Sequence, residues 1–479
     1  MSNAQPHDWT LTEAADAIAN GDISSVELTE HCLKSAAEAQ RVLNCFINLH
    51  HELAHTQAEE ADAARARGAS LGPLHGVPLA HKDMFYRAGV ITTCGSKVRA
   101  SFVPDVTATV LERLDAAGAV TIGALNMAEF ATGPTGHNEH YGACRNPWDT
   151  NVITGGSSSG SGSATAGRVV FGALGSDTGG SIRLPAAACG LFGIKPTQTR
   201  VSRFGCMGLS FSLDNVGPLA RTARDCARLL GVIAGRDERD ATSSHHAVAD
   251  YEAATLNPDV RGLRIGVPRQ YFRDHLETEV EKALDQALDV YRELGASIVP
   301  VDIPFADVMG AIGGPLSGVE ALALHRAWMR DRPEDYGAQT IARHMSNLAI
   351  PAADYLSAVQ ARPRIVRAFV EQVFGQCDVV QMPVLTSVLP TIEETDARDN
   401  QGFEVLLGRI TRNTRPINYL ALPGLSVPAG FSSCGTPLSF QLVGRPFSEA
   451  RLLRAGAAYE LATAWTSQAP DWRGSAARA

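Results

Sequence analysis

Apolar positions recur along this chain with two periods, and the alternation between them marks helices and strands. Near the start, Thr10 with Glu13 and Ser24 with Glu27 have capping-box spacing ahead of amphipathic runs that stop near Gly21 and Gln40. Leu43 to Leu49 predicts a short strand, and the Ala- and Glu-rich stretch from His51 to Arg67 predicts a helix ended by Gly68 and Gly72. A helical pattern through Ala117 gives way at Gly118 to the apolar run Ala119 to Ile122, one α-then-β step. From Leu263 the pattern is clearer. A strand to Val267 precedes a helix with Leu276, Val280, Leu284, Leu288 and Tyr291 on one face, and a strand from Ile298 to Val301 completes a βαβ unit. Further strands are expected at Val379 to Leu385, Leu425 to Val427 and Phe440 to Val443, with Arg451 to Ala464 as a closing helix. The polar stretch Gly235 to Pro258 reads as a surface excursion and a candidate boundary.

Composition narrows the class. The 479 residues allow one to three domains, and 45% apolar with 19% charged residues is ordinary globular usage. No segment approaches the roughly 18 uncharged apolar residues that a membrane helix needs. A net charge of −9 argues against a broad grip on nucleic acid. The nine cysteines are scattered without a CxxC, which indicates neither a disulfide framework nor a zinc cluster. The opening MSNAQPHDWT has no basic n-region and no apolar h-region, so a reducing cytoplasm is the expected compartment.

One segment stands apart. TGGSSSGSGSATAG, from Thr154 to Gly167, combines backbone freedom with hydroxyls directly ahead of a helix. A flexible linker would need polar flanks, but Val169 to Leu174 is apolar and strand-like. A phosphate loop would need a Gly-Lys-Ser/Thr end that is absent. Gly156-Ser157-Ser158-Ser159-Gly160 does match G-x-S-x-G, a nucleophile elbow with Ser158 as nucleophile, for which Asp302 with His325 or His344 would supply the partners. A fourth reading joins this segment to a second small-residue turn, Gly175 to Ser181, in which Asp177 is a local hydrogen-bond acceptor. Its third participant is Lys82, set in an apolar, strand-like run within a chain where only five of 42 basic residues are lysines. Both the elbow and the two-turn reading stand at this point.

The residues GVPLAHKD, GALNMAEFATGP, CRNPWDTNVITGGSSSGSG, GSDTGGSIRLPAAACGLFGIKPT and SLDNVGPLARTARD together resemble the amidase signature enzymes, serine hydrolases with a Ser-Ser-Lys triad. The resemblance covers Leu71 to Leu230 in order, with a fainter likeness toward the C-terminus. Thr154, Ser159, Ala124 and Gln198 depart from the family's usual proline, glycine, lysine and tyrosine, which bears on loop shape and substrate choice. The resemblance implies Ser181 as nucleophile, Ser157 as a bridging serine on a cis peptide bond, and Lys82 as base. It also implies an oxyanion hole from the backbone amides of Thr178, Gly179, Gly180 and Ser181, and an acyl pocket touched by Ala131 and Thr132. No metal or organic cofactor is needed. Arg183, just after the nucleophile, reads as a structural ion-pair partner rather than a substrate contact.

The implied fold is a single large α/β domain over residues 1–479, with a central mixed sheet flanked by helices. Residues 1–70 form a helical N-terminal layer, 71–230 the signature catalytic core, and 231–479 the remainder, with pocket loops expected between Ile303 and Pro351. The leading functional expectation is a free-standing amidase for small or aryl amides, extending to carbamates (urethanase activity) or esters, with a small-molecule substrate and neither nucleic acid nor membrane as partner. The alternatives are the glutaminase subunit of a tRNA-dependent amidotransferase, an esterase using Ser158, and a catalytically silent binding protein.

Overall fold

Both capping boxes form. The Thr10 and Ser24 hydroxyls accept the N3 amides while Glu13 and Glu27 reach back to the cap amides, opening helices Leu11–Asn20 and Ser25–Leu43. The second helix runs three residues past Gln40 because Asn44, in the left-handed region, is its stop. The computed structural model describes residues 5–396 and 403–476.

Eleven strands make one sheet: β1 (Phe46–Leu49), β2 (Pro78–Lys82), β3 (Val120–Leu125), β4 (Gly172–Asp177), β5 (Phe192–Lys195), β6 (Asn215–Ala220), β7 (Arg264–Pro268), β8 (Ser297–Val301), β9 (Val379–Pro383), β10 (Gly424–Phe431) and β11 (Pro437–Gly444). Their spatial order is β1-β3-β2-β4-β6-β5-β10-β11-β9-β7-β8. Parallel pairs lie toward both ends (β3/β2, β2/β4, β9/β7, β7/β8), and the centre is antiparallel. The expected βαβ unit is β7, helix Thr278–Glu293 and β8, with Val280, Leu284, Leu288 and Tyr291 buried and Leu276 ahead of the helix. Central strands are buried on both faces, which is why they read as continuous apolar runs.

The polar stretch at 235–258 is no boundary. The sheet runs on from β6 to β7 across it, Asp237 accepts the Ser202 hydroxyl at 2.6 Å, and Tyr251 is buried. The chain is therefore a single α/β domain with one mixed sheet flanked by helices. The segment expected as pocket loops folds largely as helices Ala306–Asp331 and Ala338–Asn347. Glycines and Pro315 inside the first of these mask its helical pattern in the sequence. β5 and β6, with their Gly and Pro content, were likewise unexpected.

Candidate active site

Lys82 ends β2 and Asp177 ends β4, its parallel neighbour, so the lysine and the turn at 178–181 emerge side by side at the carboxyl ends of two strands. Open α/β sheets leave room for ligands at that edge. The helix Ser159–Ala166 leads into β4, which brings residues 156–158 to the same place; the Gly156–Ser157 peptide is cis.

Lys82 is 1% exposed, and its Nζ donates to Ser157 Oγ at 2.7 Å and to Ser176 Oγ at 2.8 Å. Burial pushes its pKa down to about 7, against the opposing pull of the Asp214 and Asp177 carboxylates. Ser176 is a partner that sequence reading missed, since its role follows only once β2 and β4 are neighbours. Among the hydrogen bonds of the described residues, none joins the Ser157 and Ser181 hydroxyls. The two turns meet through the backbone, where the Ser158 amide donates to the Ser181 carbonyl at 3.3 Å. Ser181 itself is half-buried and faces a cleft of about 370 Å³.

The turn holding Ser181 is organised by Asp177. Its carboxylate accepts the backbone amides of Gly180 at 2.8 Å and Ile182 at 3.2 Å, and pairs with Arg183 at 3.0 Å. Burial alone would raise the Asp177 pKa, but the Arg183 guanidinium, aided by Asn418, holds it at about 2. Arg183 is fully buried, with its remaining donors on Gln441, Thr414 and Asn418, so it contacts protein rather than substrate. The Gly180 amide, expected in the oxyanion hole, is thereby committed to Asp177. Among the described hydrogen bonds, the amides of Thr178, Gly179 and Ser181 have no protein acceptor. Asp214 fixes the start of the turn by accepting the Thr178 hydroxyl at 2.5 Å.

The elbow reading fails on position. Ser158 is fully buried, bonded to the backbone of Ser176 through both its hydroxyl contacts at 3.3 Å. Asp302 is exposed and paired with Arg269, while His325 stacks on His344 beside Tyr336, so none of the three reaches Ser158. Ala131 and Thr132 do line the cleft with Ser181, Thr178 and Gly179. The cleft is also lined by residues of the two helices within 306–347 and by Thr411 and Arg415. Arg343 and Arg415 were not singled out from the sequence, because arginine is common in this chain and carries no local signature.

The Amidase family model matches residues 27–453. Over 97% of the chain and 98% of its relative, the sequence is 42% identical to a glutamyl-tRNA(Gln) amidotransferase subunit from Chloroflexus aurantiacus. Among solved structures, a chain from a vestigial protein complex bearing on the origins of an s-triazine catabolic enzyme is 34% identical with a TM-score of 0.89, covering 95% of this chain and 99% of that one. The corresponding glutamyl-tRNA(Gln) amidotransferase subunit from Thermotoga maritima is 29% identical with a TM-score of 0.81, covering 96% of each chain. These full-length likenesses correct the expectation of a free-standing hydrolase of small or aryl amides, carbamates or esters that works without partner or nucleic acid. The physical reason is that a net charge of −9 describes this chain's own surface and not surfaces that other chains supply in a complex. A triad, likewise, defines the bond cleaved and not the fate of the leaving group. No helix among the described residues is long and apolar enough to cross a membrane. With its family model spanning most of the sequence and relatives alike from end to end, the chain belongs to the amidase family, the amidase signature enzymes, and is an amidase-type C–N hydrolase.

Proposed function

We propose that this chain is the amide-opening subunit of an amidotransferase-type assembly, releasing ammonia from the carboxamide of glutamine for a partner subunit that modifies an aminoacylated tRNA. The observation that carries the chemistry is the 2.7 Å contact between a buried Lys82 and Ser157 behind a cleft that opens on Ser181. The end-to-end likeness to subunits of glutamyl-tRNA(Gln) amidotransferases supports the assembly. Nine free cysteines, most of them buried, suit a reducing cytoplasm.

In this reading Ser181 Oγ attacks the amide carbon while its proton passes to Ser157, whose own proton moves to the neutral Lys82 amine. The amides of Thr178, Gly179 and Ser181 receive the oxyanion, and each such donor is worth about 3–4 kcal/mol of transition-state stabilisation. The C–N bond breaks as the relay returns a proton to the leaving nitrogen, which departs as ammonia and leaves an ester on Ser181. Water then attacks the ester, giving up its proton through the same relay, and the carboxylic acid leaves. Ammonia release from glutamine, measured for the chain alone and with its amidotransferase partner chains, tests the proposal. Faster release with the partners is expected; a rate indifferent to them, or no release in either state, overturns it.

A further inference from the structure

We propose that Glu129 is a positioning residue whose buried carboxylate joins the helix Ala338–Asn347, a wall of the cleft, to the loop that grips Ser157. The inference rests on the serine-relay reading of the site and adds to it what keeps the relay in register with the substrate wall.

The loop 128–136 reaches both sides of the bridging serine. The Ala128 amide donates to the Ser157 carbonyl at 3.1 Å, and the Gly156 amide donates to the Pro134 carbonyl at 2.7 Å. A methyl group added at Gly156 would lie 2.6 Å from the Gly133 carbonyl oxygen, so a side chain there would push the loop and the serine apart. Between these contacts Ala131, Thr132, Gly133 and Pro134 line the cleft. Phe130 and Ala131 both hold left-handed backbone, with φ of 48° and 60°, which residues with a Cβ rarely adopt and which their surroundings must enforce. For Phe130 the surroundings are the Cys94 carbonyl, which accepts its amide at 2.9 Å, and the rings of His325, Trp328 and Tyr336, with centroids 4.5, 5.6 and 5.7 Å away.

Glu129 is 3% exposed, and its two oxygens serve different segments. Oε1 accepts the Ser96 hydroxyl at 2.6 Å and lies 2.9 Å from His140 Nε2, while Oε2 accepts the Gly337 amide at 2.9 Å. The helix Ala338–Asn347 has Gly337 at its N-cap and no capping side chain of its own. Its first free amides are met from the loop instead, Gly337 by Glu129, and Ala338 and Gln339 by Glu139 at 2.8 Å each. From that start the helix carries His344 and Asn347 to the cleft. On the other side, Ser96 closes the turn whose Thr93 amide donates to Asp83 at 2.9 Å, and Asp83 adjoins Lys82. One carboxylate thus links the segments that carry the base, the bridging serine and the substrate wall. A displacement of about 1 Å in such a constellation costs about 100-fold in rate.

Glu129→Ala, Glu129→Gln and Glu139→Ala separate positioning from folding. Labelling of Ser181 by a fluorophosphonate probe reports the relay without a bound amide, and its rate constant refers to the folded protein alone. That rate is expected to fall at least about 10-fold in Glu129→Ala and to recover in part in Glu129→Gln, whose amide oxygen still accepts from Gly337. In Glu139→Ala, which loses only helix-cap bonds, the labelling rate should hold while KM for glutamine rises. A Glu129→Ala chain that melts earlier yet labels at the wild-type rate, a Gln variant no better than the Ala variant, or an equal loss in Glu139→Ala overturns the proposal. Hydrogen exchange gives a readout independent of catalysis. In Glu129→Ala, peptides covering 155–160 and 338–347 should both exchange faster, and a rise confined to 338–347 overturns the proposal. If the wild type is not labelled at Ser181, the relay reading falls, and the exchange pattern alone decides the role of Glu129.

Discussion

Asn418 grips Asp177 at two points, donating from one amide group to the backbone carbonyl at 2.9 Å and to Oδ1 at 2.8 Å. A residue near the C-terminal strands thus holds the acid that shapes the nucleophile turn. Asn418→Ala should leave the two Asp177 oxygens short of a donor in a dry site and lower kcat. A stability loss of about 1–3 kcal/mol in urea unfolding is expected. Unchanged stability and rate together would show that the turn does not depend on this grip.

Breaking the buried pair from the other side should cost more. Asp177→Asn leaves the Arg183 guanidinium buried without its counter-charge, a change that typically costs about 3–5 kcal/mol. Chemical denaturation measures this directly, and a loss under 1 kcal/mol, about the worth of an exposed pair, would contradict the burial assigned to it.

The rate should depend on pH through Lys82. Its pKa is lowered to about 7, and only the neutral amine accepts a proton, so kcat/KM should climb as pH rises through about 7 and level off above it. A flat profile from pH 5 to 9 with chemistry limiting removes Lys82 from the role of base.

The same shift has a stability consequence of fixed sign. Between about 7 and the ordinary lysine value of 10.5, the unfolded chain holds a proton at Lys82 that the folded chain does not, so this group makes stability rise with pH across that window. Below it the folded state carries a buried ammonium at a cost. Lys82→Met should therefore lose about 10²- to 10⁴-fold in kcat yet be at least as stable as the wild type at pH 6. A destabilised Met variant at that pH would mean that the two serine contacts outweigh desolvation.

Ser181→Ala should abolish labelling by a fluorophosphonate probe in intact-mass measurements, whereas Ser158→Ala should keep it. The Ser158 hydroxyl serves the backbone of Ser176, so the second variant should lose about 1–3 kcal/mol of stability instead. The opposite labelling pattern would restore the elbow reading.

The legible part of this protein was local. Capping boxes, the βαβ periodicity around Val280 to Tyr291, and the small-residue turns carrying Ser157 and Ser181 are each written in a few adjacent residues, because cap hydrogen bonds, side-chain period and turn geometry depend on near neighbours. Lys82 stood out because a lysine inside an apolar strand is already anomalous. What the sequence by itself determined was therefore the identity of the chemical groups and the short elements that bear them. The tertiary structure decided which groups meet: that β2 lies beside β4 and gives Lys82 a second hydroxyl, that Asp177 claims the Gly180 amide, and that residues of the distant helix Ala306–Asp331 line one cleft with Ser181. Such pairings are chosen by the packing of the whole sheet and its helices, with many side chains competing for the same space, and no short stretch of sequence encodes that competition.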